Sequence, residues 1–215
     1  LSDYAKKNNK PQRFVGIPKT IDNDLPIIDH CPGYGSACKY IATSIKEIIR
    51  DNSSFNKSRL TVCIVEIMGR HAGWLTASSA VLHALDETAP HLVYVPEVKF
   101  SLENFIRDVR QELSKHKAVI VAVSEGIQLG GDENAVFDNF GHKYLSGIGK
   151  QLENLVKDKI GCKVRSIELN VMQRCSSHIA SKTDIDESAW IGREAVKTAL
   201  AGETGKMMAY KRISD

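Results

Sequence analysis

The chain has 215 residues, 42% of them hydrophobic and 26% charged, with 15 Gly, 6 Pro and 5 Cys. That length suits one large domain or two small ones with a sizeable core, and the composition excludes disordered, collagen-like and disulfide-scaffold classes. Twenty-nine Lys and Arg against 26 Asp and Glu leave a formal charge of +3, too small an excess to imply nucleic acid or a membrane surface as partner.

The longest apolar run, Ala118 to Val123, is far shorter than the roughly 20 residues that span a bilayer. The first ten residues have no apolar stretch of the signal-peptide kind. A soluble, cytoplasmic protein is expected. Cys31, Cys38, Cys63, Cys162 and Cys175 are odd in number and form no C-x-x-C pair, so reduced structural thiols are expected rather than a cysteine metal site.

In chain order, Arg13 to Ile17 reads as a strand stopped by Pro18. Gly35 to Arg50 reads as a helix with Tyr40, Ile41, Ile45, Ile48 and Ile49 on one stripe. Leu60 to Ile67 is β-branched and apolar on both faces, the pattern of a buried parallel strand. A helix follows over Trp74 to Leu85, then a short strand from His91 to Val95. Ser101 is placed to cap a helix carrying Leu102, Phe105, Ile106, Val109 and Leu113. Ala118 to Val123 is a strand leading into a glycine-rich loop, Gly126 to Gly131. The remaining expected elements are helices over His142 to Lys157 and Asp186 to Leu200, and strands over Val164 to Leu169 and Lys206 to Tyr210. Strands alternating with helices predict an α/β fold with a largely parallel sheet. In such sheets ligands bind beyond the carboxyl ends of the strands.

The unusual residues stand at those ends. Pro18-Lys-Thr-Ile-Asp-Asn-Asp-Leu-Pro26 follows the first strand, and its two prolines prevent a helix. An extended backbone there sends Asp22 and Asp24 to the same side, beside Lys19 and Thr20, where they could take a hydroxyl proton or hold Mg2+ through water. An Asx-rich surface turn fits the same residues. Gly69 would let backbone approach a ligand, and Arg70 offers a planar fork for a phosphate or a sugar oxygen. A plain strand-to-helix turn with a solvated arginine is the alternative. Glu125 follows the Ala118 to Val123 strand, placed for sugar hydroxyls or for capping a helix. Arg165 and Arg174 add cations around the last long strand. Together these suggest an anion-binding crevice with a carboxylate pair, suited to phosphoryl transfer onto a sugar phosphate.

The order Thr20-Ile-Asp-Asn-Asp24, Met68-Gly-Arg-His-Ala-Gly-Trp74, Ser124-Glu-Gly126 and Leu169-Asn-Val-Met-Gln-Arg174 resembles the phosphofructokinase family from about Gly16 onward. Lys19, Pro32-Gly-Tyr-Gly-Ser36 and His71-Ala-Gly-Trp74 resemble its pyrophosphate-dependent branch. The resemblance implies a Rossmann-like parallel-sheet sandwich and transfer of a phosphoryl group from pyrophosphate, or alternatively ATP, to fructose 6-phosphate, giving fructose 1,6-bisphosphate in glycolysis. It implies that Asp22 accepts the proton of the 1-hydroxyl, that Lys19 stabilises the transferring group, and that Asp24 orients the site or assists Mg2+. Thr20, Ile21, Met68, Gly69, Arg70 and Glu125 would hold the sugar phosphate, and Val171, Met172, Gln173 and Arg174 would reach its 6-phosphate. Arg165 matches a position from which a neighbouring subunit contributes, implying a homo-oligomer, a dimer or tetramer.

The sequence departs from the family in places. Val171 stands where many members have a substrate-contacting histidine, and Thr61 where an arginine crosses between subunits. The glycine-rich phosphate loop and the G-G-x-D segment that precede T-I-D-N-D in the family are not found. Residues 1–215 are therefore expected to be a partial domain, incomplete at both ends: mostly the fructose 6-phosphate half with part of the donor half. The main Mg2+ ligand is expected upstream of Leu1, and the chain alone is expected to be inactive. A non-catalytic sugar-phosphate-binding subunit of the same fold is the remaining alternative.

Overall fold

The computed structural model describes residues 1–55, 59–85, 87–129 and 147–213. Four parallel strands form its main sheet: β2 (Thr61–Ile67), β3 (Leu92–Tyr94), β4 (Ala118–Ser124) and β5 (Lys163–Glu168), in the order β3-β4-β2-β5. The inner strands are the two long apolar runs. Every residue of β2 is buried, as is β4 beyond Ala118.

Because strand side chains alternate, each strand feeds two cores. Val62, Ile64, Val119, Val121 and Val123 pack on one face against α4 (Leu102–Lys115) and α5 (Ile148–Ile160), through Phe105, Val109, Leu152 and Val156. Cys63, Val65, Ile67, Ile120 and Ala122 pack on the other against α2 (Tyr34–Phe55), through Ala37, Ile41 and Ile45, and against Leu75 and Leu82. The result is a three-layer sandwich. Full burial of each such aliphatic side chain contributes about 1.5–3 kcal/mol.

A second, two-stranded parallel sheet pairs β1 (Val15–Gly16) with β6 (Lys206–Met207). It brings the start of the Lys19–Asp24 loop against the end of α7 (Lys182–Leu200), where Arg13 donates to the carbonyls of Ala199 and Leu200 at 2.6 and 3.1 Å. The short α1 (Ser2–Lys7) precedes it. No helix among the described residues is long and apolar enough to cross a membrane.

Several boundaries differ from the sequence pattern for local reasons. The expected helix Trp74–Leu85 divides into α3 (Trp74–Ser78) and a 3-10 turn, Ser79–Leu85. Ser78 and Ser79 each donate a hydroxyl to the carbonyl three residues back, at 2.6 Å, a pairing that competes with the helical ladder. The helix expected from His142 begins at Ile148, after Gly147 with φ +81°; Tyr144 and Leu145 lie outside the described residues, as does the end of the glycine-rich loop. α7 starts four residues earlier than Asp186, because its first turn is used in tertiary capping. The expected outer strands shrink to two residues each.

Candidate active site

Strands β2 and β4 are neighbours, yet the chain leaves them toward opposite faces: α3 lies on the α2 side and α5 on the α4 side. This is the topological switch point at which doubly wound sheets open a crevice. The loops Met68-Gly-Arg70 and Ser124-Glu-Gly126 emerge there.

They are clasped together. Ser124 donates its hydroxyl to the Gly69 carbonyl (2.7 Å), the Gly69 N–H donates to Glu125 Oε1 (3.2 Å), and the Glu125 N–H to the Ile67 carbonyl (2.9 Å). Gly69 is a glycine for the turn rather than for ligand approach: at φ +127° a Cβ would stand 2.6 Å from the Ala72 carbonyl oxygen. The third loop arrives from β5. The short α6 (Met172–Cys175), absent from the sequence pattern, buries Gln173, whose Oε1 accepts the Met68 N–H at 3.0 Å.

The loop after β1 closes the fourth side. It is a turn, not the extended backbone expected: Thr20 Oγ1 accepts the Asp22 N–H (3.0 Å), and Asn23 has φ +56° with its Oδ1 accepting the Cys31 N–H (2.9 Å). One cleft of about 360 Å³ results. Lys19, Thr20, Ile21 and Asp22 line it from this loop, Met68 and Arg70 from β2, Glu125 from β4, and Arg174 from the segment after β5, with Pro32 beside them.

Not every expected residue reaches it. Asp24, beyond the left-handed turn at Asn23, is exposed and outside the lining. Val171 and Met172 are exposed beside the cleft, and Gln173 is buried behind it, supporting Met68. Arg165 lies three residues before the end of β5 and pairs with Asp51 at 3.3 Å, away from the cleft.

Three cations, Lys19, Arg70 and Arg174, face two carboxylates, a balance suited to an anion. Burial and then the charge of Asp24 push the Asp22 carboxyl up, against the pull of Lys19, Arg70 and His71. Burial also raises Glu125, against the Gly69 N–H and Arg70. A carboxylate whose proton affinity is raised is a better general base near neutral pH.

Two supporting carboxylates carry no signal in the sequence motifs. Asp184, in the first turn of α7, accepts the N–H groups of Gly33 (2.8 Å) and Ser36 (3.1 Å) and the Ser36 hydroxyl, capping α2. Glu66 is a charged residue inside the apolar β2 run. It is 5% exposed, and its Oε2 accepts the Gly149 N–H at 2.7 Å. Burial, with Glu168 and Glu125 nearby, raises it to about 7.

A model of the phosphofructokinase family matches residues 2–199. The chain belongs to the phosphofructokinase family. The pyrophosphate--fructose 6-phosphate 1-phosphotransferase of Halomonas elongata is 38% identical over 222 residues, covering 100% of this chain and 52% of that protein. A sulfofructose kinase of Alkalicoccus urumqiensis is 36% identical, covering 99% of this chain and 54% of that protein. The crystal structure of a pyrophosphate-dependent phosphofructokinase from Marinobacter aquaeolei superposes with a TM-score of 0.85 at 35% identity, over 99% of this chain and 51% of that one. The chain spans about half the length of the curated relatives it matches. The switch-point cleft is thus set in the fold of this family, and the parallel α/β architecture expected from the sequence is the one found.

Proposed function

We propose that the chain forms the acceptor-binding part of a cytoplasmic pyrophosphate-dependent phosphofructokinase. The supporting observation is the convergence, in one cleft, of a half-buried carboxylate with Lys19, Arg70 and Arg174. In this reading Arg70 and Arg174 neutralise the phosphate of fructose 6-phosphate, and Thr20, Ile21, Met68 and Glu125 surround the sugar. Gly69 and Gln173 act from behind as supports, and Val171 and Met172 edge the phosphate end. Asp22 takes the proton of the 1-hydroxyl as its oxygen attacks, and Lys19 stabilises charge on the transferring group. Arg165, outside the cleft, is left for contact with a second copy in a homo-oligomer.

Mg2+ fits this arrangement in a limited way. Among the described residues no group of three His, Cys, Asp or Glu converges on a metal position, but Mg2+ is commonly held by one or two carboxylates plus substrate phosphates and water. Asp24 and Asp22 could supply those carboxylates, and the ion would neutralise the diphosphate.

The relatives' names support pyrophosphate as donor and fructose 6-phosphate as acceptor. The similar sulfofructose kinase makes sulfofructose the competing acceptor. A phosphate monoester carries close to two negative charges and a sulfonate one, so the paired arginines favour phosphate. Calorimetric titration of the 215-residue chain with each acceptor tests the reading. Binding of fructose 6-phosphate, weakened about 10- to 100-fold by Arg70→Ala or Arg174→Ala, is expected from the loss of one charged hydrogen-bonding group. Absence of binding by a folded chain, or wild-type affinity in both variants, refutes it.

A further inference from the structure

The loop bearing Lys19, Asp22 and Asp24 is held at its far end by side chains outside the cleft. His30, six residues beyond Asp24, has Nδ1 2.8 Å from Asp29 Oδ1 and Nε2 2.9 Å from Glu187 Oε2 on α7. Its ring stacks on Tyr210, with centroids 4.7 Å apart. Asp29 also accepts Nε and Nη2 of Arg212, at 3.1 and 3.0 Å, and donates its own N–H to the Tyr210 carbonyl. A neutral imidazole has one N–H and one lone pair, so two carboxylate acceptors are served at once only by the doubly protonated ring. The next residue, Cys31, donates its N–H to Asn23 Oδ1, and Asn23 sits between Asp22 and Asp24.

We propose that His30 is a positioning residue of the cleft: as an imidazolium it bridges Asp29 and Glu187, fixes the backbone at Cys31, and through Asn23 holds the turn that presents Asp22. This rests on the reading of Asp22 given above. Among the described residues, the charged and titratable groups lining the space around His30 are Asp29 from its own loop, Glu187 from α7, and Tyr210, Lys211 and Arg212 from the segment after β6. Burial by itself lowers the imidazole, but hydrogen bonds to Asp29 and Glu187 outweigh it, and the ring ends above its usual 6.5. The clamp is therefore complete below about pH 6.5 and is lost as pH rises through the folded-state value.

The test is an NMR titration of the whole 215-residue chain from pH 5.5 to 9. The His30 ring should titrate with a midpoint above 6.5, and the amides of Asp22, Asn23, Asp24 and Cys31 should move with that midpoint. His30→Phe keeps the stacking surface but removes both N–H groups. It should abolish that titration and speed Cys31 amide exchange by about tenfold, leaving Gly149 unchanged. Glu187→Gln, a milder change that carries the test if His30→Phe does not fold, should lower the midpoint. A His30 midpoint at or below 6.5, or Asp22–Asp24 amides that ignore the ring in wild type, overturns the proposal. Fructose 6-phosphate titrated into the same samples separates the two readings: failure to bind at every pH refutes the acceptor assignment, while the amide shifts still decide the clamp.

Discussion

Gly126→Ala is a perturbation whose size can be worked out from the clasp between the Met68–Arg70 and Ser124–Gly126 loops. A Cβ on Gly126 would stand 2.2 Å from the carbonyl oxygen of Arg70 and 2.9 Å from that of Gly69. Real contacts of this kind stay above 3.0 Å, so the Arg70 peptide must retreat by close to 1 Å. Neither neighbour is a side-chain tip that could swing aside. The Gly69 N–H to Glu125 bond, at 3.2 Å, has little slack, and a shift of this size breaks it. Displacing a substrate-holding group by about 1 Å costs on the order of 10² in rate or affinity. The overpacking itself costs about 1–3 kcal/mol, reduced by the 0.4–1 kcal/mol that Ala gains over Gly in the unfolded chain. Calorimetric binding of fructose 6-phosphate and thermal unfolding are the assays, with Gly192→Ala as control. Gly192 lies in α7 with nothing within 4 Å of its missing Cβ, and that change should stabilise by about 0.5–1 kcal/mol. If Gly126→Ala binds and unfolds like wild type, the clasp does not fix Arg70.

Asp184→Ala removes the cap of α2 and three hydrogen bonds; a loss of about 2–4 kcal/mol is expected, read by calorimetry as a melting point lower by roughly 5–15 °C. Glu66, raised to about 7, binds its proton more tightly in the folded chain than in the unfolded one. Wild-type stability should therefore fall as pH rises from about 4.5 to 7 and stay low above, and Glu66→Gln should flatten that slope in pH-dependent melting curves. Asp22→Asn should lower kcat by about 10²–10⁴ in an assembled enzyme while changing fructose 6-phosphate affinity far less, since a base acts in the transition state; a large affinity loss with normal kcat would make Asp22 a binding group.

Much of the sheet was legible because it is buried on both faces. A strand such as Thr61–Ile67 must be largely apolar on both faces, and that pattern survives without tertiary information. Helix ends were less so. α2 runs on to Phe55 through Asp51-Asn-Ser-Ser54, poor helix formers, where tertiary contacts outweigh propensity: Asn52 is buried and Asp51 pairs with Arg165. Of the strand-end charges, Arg70, Glu125 and Arg174 line one cleft in the structure. Arg165, nine residues before Arg174 in sequence, stops short of the strand end and lies outside that lining. Glu66, Asp184 and His30 were illegible because their roles are pairings across 83, 148 and 157 residues of chain, and no local pattern encodes such a partner.

The carboxylates of this chain divide by what surrounds them, and that division separates support from chemistry. Asp184 is buried where helix N–H groups converge on it, and Glu153 where Lys157, Ser166 and Lys150 do; the latter is held down at about 2. Glu153 therefore stays charged across the working pH range, and both groups act as fixed struts. Asp22 and Glu125 are different: burial and carboxylate neighbours push them up while cations pull them down. Neither influence is saturated by a short hydrogen bond to the carboxylate. Their protonation is therefore sensitive to whatever enters the cleft. A dianionic phosphate beside Arg70 and Arg174 would offset Arg70, which restrains both Asp22 and Glu125, and Arg174, which restrains Glu125, raising the proton affinity of both. Under the proposed function, binding the acceptor would strengthen the base that deprotonates it, a coupling supplied by the charge pattern of the cleft.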